Sequence, residues 1–209
     1  MAVSHRIPCA IALLCKAPIP GYAKTRLIPV LGAKGAAQVQ RDFVRRSVHT
    51  ALAAAVGPLT VWCDPDAFDP LFIELAQNYP LTLRSQPPGD LGIRMKVCAA
   101  AALKNAKAVI IIGADCPVMT PTYLQQAAAA MNAGTDAVIG PSEDGGYVLL
   151  AIKRANKKLF TDISWGSHTV RNETLSRIRA LNWQSHQLDT VWDVDRPEDW
   201  ERWQRISPE

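Results

Sequence analysis

The sequence predicts an α/β protein in which helices cover a mainly parallel sheet. Short apolar segments of strand length alternate along the chain with longer segments whose apolar residues recur every three or four positions. The clearest strand is 108–112, an unbroken run of alanine, valine and isoleucine, and strands that are apolar on both faces are typical of parallel sheets buried under helices. The 209 residues, 48% of them hydrophobic, suffice for one such domain, so we expect a single domain over 1–209.

The composition argues against several functional classes. The net charge is only +4 and no basic tract is present, so we expect no nucleic-acid partner, although a small anionic ligand fits this charge. The five cysteines are scattered and odd in number, which predicts neither a disulfide framework nor a structural zinc site and indicates a cytoplasmic protein. Residues 7–15 are apolar but too few to span a membrane, and nothing after them resembles a signal cleavage site.

The first strand is predicted over 8–14, and a stiff basic loop follows it. Two prolines restrict this loop, and Gly21 permits an unusual backbone angle. Lys24 and Arg26 are two cations on a constrained turn after a strand, an arrangement that suits a diphosphate or triphosphate. We therefore expect a phosphate-binding loop that also includes Lys16 and Gly21, with an exposed basic loop as the alternative.

The next elements alternate between helix and strand. A helix is predicted over 33–56, where apolar residues recur at helical steps, and the Gly-Pro pair at 57–58 ends it. A strand over 59–63, a short helix over 68–77 and a strand over 81–84 follow.

Residues 86–95 open another helix, which is predicted to continue to residue 106. Asp90 is well placed to cap this helix, and capping is its expected role. Helix amino ends also bind anions, so the backbone at Gly89 and Asp90 is a candidate ligand contact. Gln86 is a candidate for reading the edge of a nucleotide base.

The central strand 108–112 leads into Gly113, and Asp115 follows at once. A carboxylate there lies just beyond the carboxyl end of a central strand, where open α/β sheets bind their ligands. Capping does not explain this aspartate, because Thr120, five residues later, is the expected cap of a helix over 121–131. Asp115 is therefore a candidate site residue, with a turn-forming aspartate as the alternative.

A later segment combines carboxylates with glycines: Glu143, Asp144, Gly145 and Gly146. Such glycines allow a backbone to approach a ligand closely. An Asp-Gly pair between two strands is also a strong hairpin signal, and the two interpretations are compatible. The flanking strands are predicted over 136–139 and 147–152.

The remaining elements run to the carboxyl end. We expect a loop over 157–163, a helix ending at 181 and capped by Ser164 or Ser167, a strand over 183–188, and a final helix.

Asp195 has two interpretations at the start of that final helix. With Glu198 three residues later it forms a pattern typical of a capping box. Alternatively, it is a second carboxylate that faces Asp115 across a bound Mg²⁺, because this hard cation prefers carboxylates and keeps waters beside substrate phosphates. Asp193 is the reserve candidate for the same place.

Five segments follow one another over nearly the whole chain: KAPIPGYAKTRL at 16–27, GDLGIRM at 89–95, GADCP at 113–117, GPSEDGGY at 140–147 and DVDRPED at 193–199. Taken together, they resemble a largely uncharacterised family of bacterial glycosyltransferase-A-like proteins within the nucleotide-diphospho-sugar transferase superfamily. The sequence is more distantly similar to the 2-phospholactate and molybdenum cofactor guanylyltransferases.

This resemblance implies a Rossmann-like three-layer α/β/α fold with a mixed, mostly parallel sheet and the nucleotide over its amino-terminal half. Lys24 and Arg26 would bind the phosphates, and Asp115 and Asp195 would hold Mg²⁺ or Mn²⁺. Glu143, Asp144 and the adjacent glycines would line the acceptor side. Two departures stand out: the proline-containing loop replaces the glycine-rich start of many sugar nucleotidyltransferases, and Asp115 stands alone where many glycosyltransferases have D-x-D.

The resulting hypothesis is a Mg²⁺-dependent transferase that takes a nucleotide or nucleotide-sugar donor and a small acceptor. In glycosyl transfer an acceptor hydroxyl attacks the sugar, with Glu143 or Asp144 as base. In nucleotidyl transfer an acceptor phosphate attacks a nucleoside triphosphate and diphosphate leaves. A non-catalytic nucleotide-binding protein is the third alternative, supported by the missing second carboxylate. Four of the six tryptophans lie within 183–203, where we expect core packing, with a homodimer contact as the alternative.

Overall fold

A seven-stranded sheet with six helices forms the fold in the computed structural model, which describes residues 7–206. The strands are β1 (Ile7–Lys16), β2 (Leu59–Asp64), β3 (Leu81–Ser85), β4 (Ala106–Gly113), β5 (Ala137–Pro141), β6 (Tyr147–Ile152) and β7 (Ser185–Gln187). The helices are α1 (Ile28–Ala54), α2 (Pro70–Asn78), α3 (Leu91–Ala102), α4 (Pro121–Asn132), α5 (Val170–Ala180) and α6 (Pro197–Ile206).

The strand order is β3-β2-β1-β4-β6-β5-β7, and only β6 runs against its neighbours. The chain moves outward from β1 to β3 and then returns to place β4 on the other side of β1. The strand order therefore reverses between β1 and β4, where Leu14 pairs with Gly113. In open α/β sheets a crevice at the carboxyl ends of two such strands is the usual ligand site.

Helices cover both faces of the sheet, which confirms the predicted three-layer, mostly parallel architecture. Ile11 and Leu13 of β1 pack in a core with α1, α2 and α4, whereas Ala12 and Leu14 face a second core with α3 and α5. This alternation follows from the period of two along a strand, which sends successive side chains to opposite faces. None of the helices in the described range is long and apolar enough to cross a membrane.

Some predicted boundaries and caps differ from those in the structure. Element α1 spans Ile28–Ala54, but Gly32 within it has non-helical backbone angles (φ 68°, ψ 167°), so a short turn that contains Pro29 precedes the helix predicted from residue 33. The predicted loop at 157–163 contains a short 3₁₀ turn, Lys157–Leu159. Helix α5 starts after Thr169 without a side-chain cap, so the prediction of a cap at Ser164 or Ser167 was wrong.

Candidate active site

The basic loop after β1 meets the carboxyl end of β4 through an ion pair between Lys24 and Asp115. The Lys24 side chain is only 3% exposed, whereas that of Asp115 is 57% exposed. The Lys24 Nζ atom also donates a hydrogen bond to the Val194 carbonyl at 2.7 Å and lies 5.4 Å from the centre of the Phe43 ring. Lys24 is therefore an internal counter-charge that holds Asp115 at the edge of the sheet with one side open to solvent.

A second ion pair joins the same loop to the segment before α6, between Arg26 and Asp195. Both side chains are substantially exposed. Asp195 does not cap α6 as the capping-box pattern predicts, because its carboxylate pairs with Arg26. The Asp199 carboxylate instead accepts hydrogen bonds from the backbone N–H groups of Asp195 and Arg196, at 3.2 and 2.8 Å.

The structure thus brings together the two cations and the two carboxylates that the sequence singles out. A backbone hydrogen bond from Val194 N to Asp115 O, 2.8 Å long, fixes the two acidic segments side by side. Gly21 in the basic loop has a φ of 81°, which confirms its unusual backbone angle. Lys16 is exposed at the end of β1, with its Nζ atom 5.1 Å from the centre of the Tyr22 ring.

Asp193, the reserve candidate, is partly buried and accepts a hydrogen bond of 2.7 Å from the Ser142 hydroxyl. Burial raises the pKa of its carboxyl, and the nearby charges of Asp144 and Asp115 raise that pKa further, against the hydrogen bond from Ser142. Asp193 therefore shares its surroundings with Asp115, while Asp195 is paired with Arg26. Within residues 7–206, no group of three or more His, Cys, Asp or Glu side chains is arranged to hold a metal ion.

The segment between β5 and β6 forms the predicted hairpin turn. Glu143 receives two hydrogen bonds from Arg202, at 2.7 and 3.1 Å, and this contact lowers the pKa of the Glu143 carboxyl. Asp144 accepts a hydrogen bond of 2.8 Å from the backbone N–H of Gly146. Of the two carboxylates, Glu143 is thus the one paired with an arginine of α6.

Gly145 is required by the protein's own packing. Its φ is 89°, and a Cβ atom there would lie 2.2 Å from the His168 carbonyl oxygen. The close backbone approach that we predict for this glycine therefore occurs against the loop before α5. Gly146 lines a pocket instead.

That pocket, of about 160 Å³, lies between the β5–β6 turn and the loop before α5. We refer to it as the acidic pocket, because Asp144 and Asp193 line it. Its other contributors include the hydroxyl-bearing residues Ser142 and Ser167 and the aromatic residues Tyr147 and Trp165. Trp165 is a site residue that sequence reasoning missed, since a single tryptophan in a loop carries no distinctive spacing.

Sequence reasoning also missed Asp64, the last residue of β2. This buried carboxylate accepts a hydrogen bond of 2.8 Å from the Tyr22 hydroxyl and pairs with Arg94 at 3.2 Å. The contact with Tyr22 ties the basic loop to β2, just as Lys24 ties it to β4. The available signal was the one that identified Asp115, an aspartate directly after an apolar strand.

Gln86 has a structural role in this network. Its Nε2 atom donates to the carbonyls of Cys15 and Trp62, at 3.3 and 2.9 Å, and its Oε1 atom accepts from Arg94 at 3.2 Å. The amide that we considered for reading a base therefore spans the ends of β1 and β2.

Asp90 caps α3 as predicted, with its carboxylate accepting a hydrogen bond of 2.8 Å from the backbone N–H of Ile93. The carbonyl of the preceding residue, Gly89, accepts a hydrogen bond of 3.1 Å from Arg94.

Comparison with known proteins gives one family match and many solved structures of the same fold. A family model described as "Uncharacterized protein conserved in bacteria (DUF2064)" matches residues 47–167. A crystal structure from Desulfovibrio desulfuricans, of a protein assigned to the nucleotide-diphospho-sugar transferases, has 31% identity and a TM-score of 0.81. It covers 90% of this chain and 82% of its own. No curated protein matches the sequence significantly.

Two more distant structures share the fold over nearly the whole chain. A Mycobacterium tuberculosis protein in complex with manganese has 13% identity and a TM-score of 0.60, covering 96% of this chain and all of its own. A CMP:2-keto-3-deoxy-manno-octonic acid synthetase complexed with CTP has 12% identity and a TM-score of 0.59, covering 95% and 98%. At these identities the likeness shows the fold alone.

Proposed function

This chain belongs to the DUF2064 family of uncharacterised proteins conserved in bacteria, and from that premise we propose that it is a divalent-metal-dependent transferase with a nucleotide or nucleotide-sugar donor. The observation that carries the proposal is the half-exposed Asp115, held by Lys24 where the strand order reverses. A carboxylate in that place can hold a cation, and the basic loop beside it can bind phosphates.

We assign the cation to Asp115 and Asp193, although the sequence favours Asp195 as the second ligand. The contact with Arg26 engages Asp195, whereas Asp193 lies near enough to Asp144 and Asp115 for their charges to raise its pKa. Two carboxylates fit Mg²⁺ or Mn²⁺, since such an ion keeps several ligand positions for water and substrate phosphates. The similarly folded Mycobacterium tuberculosis protein forms a complex with manganese, which supports a divalent cation here.

The protein's own residues bind the donor phosphates, orient Asp115 and accept the proton of the acceptor. The exposed cations Arg26 and Lys16 bind the donor phosphates, and Lys24 keeps Asp115 in place without leaving the interior. A bound divalent cation neutralises negative charge that develops on the leaving phosphate. Asp144 accepts the acceptor's proton, because Glu143 is held by Arg202, a contact that lowers the pKa of Glu143 and occupies its carboxylate.

Two reactions remain candidates. Glycosyl transfer is supported by the structural likeness to the Desulfovibrio desulfuricans protein, assigned to the nucleotide-diphospho-sugar transferases. Nucleotidyl transfer is supported by the fold shared with a synthetase complexed with CTP. Product analysis separates them, because the first releases a nucleoside diphosphate and the second releases diphosphate from a nucleoside triphosphate.

A melting-temperature screen of nucleoside triphosphates and nucleotide-sugars, with and without Mg²⁺ or Mn²⁺, tests the proposal. A ligand at 100 times its Kd stabilises by about 2.7 kcal/mol, which for a protein of this size raises Tm by roughly 5–11 °C. We expect a shift that needs the cation and is lost in Asp115→Asn.

Asp195→Asn is the matched control, because the assignment of the cation to Asp115 and Asp193 predicts that this variant keeps the cation dependence. Binding of Mn²⁺, followed by electron paramagnetic resonance, reads out the metal without turnover. An unchanged cation-dependent shift in Asp115→Asn would defeat the metal assignment. Nucleotide binding that survives Asp115→Asn, without turnover in the unmodified protein, would identify a non-catalytic binding protein.

A further inference from the structure

We propose that the acidic pocket binds an uncharged polyhydroxylated acceptor, a sugar or sugar-like polyol, and that a hydroxyl group of this compound attacks the donor. This inference rests on the proposed function, because it names the substrate class of the second site in the same transferase. It excludes a phosphate as the acceptor's attacking group in either candidate reaction.

The charges that line the pocket are of one sign. Asp144 and Asp193 contribute carboxylates, Ser142 and Ser167 contribute hydroxyls, and no lysine or arginine is among the described lining residues. With the proposed cation at Asp115 and Asp193 committed to the donor phosphates, a phosphate on the acceptor would meet these negative charges without a cationic side chain among the lining residues, which disfavours it. Carboxylates accept hydrogen bonds and ionised acceptors form strong ones, so hydroxyl donors on the ligand match this lining.

The Asp193 carboxylate is held in a fixed orientation in the pocket. The Ser142 hydroxyl, which is 3% exposed as a residue, donates to one carboxylate oxygen of Asp193 at 2.7 Å. Asp144 is similarly oriented by the backbone N–H of Gly146 at 2.8 Å. Each carboxylate is thereby held in place while retaining capacity to accept further hydrogen bonds from a ligand.

The apolar part of the lining suits the carbon skeleton of a polyol. Tyr147 and Trp165 contribute aromatic side chains, and ligand sites commonly combine such surfaces with a few polar groups that fix orientation. Gly92 fixes the position of Trp165 on α3, because a Cβ atom there would lie 2.9 Å from the Trp165 Nε1 atom and 2.2 Å from the Phe160 carbonyl oxygen. Any larger residue at 92 would push the tryptophan loop away from α3.

The amino ends of two helices oppose this preference for an uncharged ligand, since such ends attract anions. Leu91 at the start of α3 and Val170 at the start of α5 both line the pocket. A carboxylate lies at each end: Asp90 caps α3 by accepting from Ile93 N at 2.8 Å, and Glu173 lies in the first turn of α5. These carboxylates offset the positive ends of the helix dipoles and leave the pocket acidic.

The bonds, electron pair and proton of the transfer step can all be accounted for with these residues. The acceptor's hydroxyl oxygen forms the new bond to the donor, either at the sugar carbon or at the α-phosphorus. The bond between that atom and the leaving phosphate breaks, and the leaving group takes its electron pair. The hydroxyl proton passes to the Asp144 carboxylate.

Saturation-transfer NMR on the full chain tests the pocket without a donor and without a divalent cation. The uncharged probes are glucose and myo-inositol, and the matched anionic probe is glucose 1-phosphate. We expect saturation transfer from the uncharged probes and a dissociation constant at least ~10-fold weaker for the phosphate, as for an ion left without a counter-charge. Tighter binding of glucose 1-phosphate, or no transfer from either uncharged probe, would overturn the inference.

Single substitutions test whether the probes bind in the acidic pocket. Asp144→Asn should weaken binding of the uncharged probes by ~10-fold or more, because it removes a charge-assisted hydrogen bond. The same variant should strengthen binding of glucose 1-phosphate, because it removes a repulsive charge. Glu143→Gln, at the neighbouring carboxylate held by Arg202, should leave both probes unchanged. Equal effects of the two variants would contradict the assignment to this pocket.

The nucleotide melting shift is measured on the same samples. If that shift is absent while polyol binding persists and depends on Asp144, the proposed transferase fails and the pocket stands. If the shift is present and polyols do not bind, the pocket assignment fails alone.

Discussion

The Asp193 carboxylate lowers the free energy of unfolding by an amount that depends on pH. Its pKa is raised in the folded protein, chiefly by burial, so the folded state binds the proton more tightly than the unfolded chain does. As the pH rises above the ordinary value of 3.8, the unfolded chain therefore ionises first and the free energy of unfolding falls. Burial of the charged form is thus an energetic cost at neutral pH.

Asp193→Asn should accordingly raise Tm at neutral pH, because the amide resembles the uncharged acid and can still accept from Ser142. Melting curves across the acid range should show this gain shrinking towards pH 3.8. Asp195→Asn is the control at an exposed ion pair and should change the free energy of unfolding by at most about 1 kcal/mol. A variant at 193 that is less stable than the unmodified protein at neutral pH would contradict this account.

Gly145 and Gly146 are adjacent glycines with different structural demands. Gly145→Ala combines a positive φ with a Cβ atom 2.2 Å from a backbone oxygen, so we expect a loss of at least about 2 kcal/mol in the free energy of unfolding. Gly146→Ala meets only the end of the Asp144 side chain, at 3.1 Å, and should cost less than about 1 kcal/mol. Urea unfolding of both variants measures the difference, and equal losses would refute the distinction.

At the scale of one element, α3 depends on a cap that the sequence itself identifies. Replacing an N-cap aspartate with alanine typically costs about 1 kcal/mol, or roughly 2–4 °C in Tm for a protein of this size. We expect Asp90→Ala to show that loss and Asp90→Ser to recover most of it, because serine also accepts the Ile93 N–H. Identical melting temperatures for the two variants would show that capping is not what this carboxylate contributes.

The elements that were predicted well carry their signal locally. The unbroken apolar run in β4, the cap at Asp90 and the hairpin between β5 and β6 each depend on residues a few positions apart. The errors arose where an element depends on more distant packing. A short turn precedes α1 proper at the non-helical Gly32, and Leu27, Ala36 and Phe43 around it pack in one core with Trp192 near the other end of the chain.

At the scale of the whole molecule, the fold buries all five cysteines as free thiols. Burial raises the pKa of Cys9 to about 11 and those of Cys63, Cys98 and Cys116 to about 12, and it also raises that of Cys15. Because the thiolate is the reactive form, we expect no rapid reaction of the native protein with a thiol reagent at neutral pH and five reactive groups after unfolding. A thiol that reacts quickly in the native state would contradict this packing.

The sheet topology explains why the candidate site is assembled where it is. Strands β1 and β4 are neighbours although their carboxyl ends, Lys16 and Gly113, are 97 positions apart in the sequence, and these ends place the basic loop beside Asp115. The same arrangement brings the segment before α6 to both, through Val194 and Asp195. A local pattern can nominate each segment, but only the strand order makes them one site.

The sequence by itself determined the alternation of strands and helices, the apolar central strand and the aspartate beyond it, because these follow from periodicity and turn chemistry over a few residues. Tertiary structure decided the partners: Lys24 with Asp115, Arg26 with Asp195, and Asp193 with Ser142. The physical reason is that an ion pair or hydrogen bond requires atoms about 3 Å apart, and such proximity between segments 51–169 positions apart is set by packing rather than by composition.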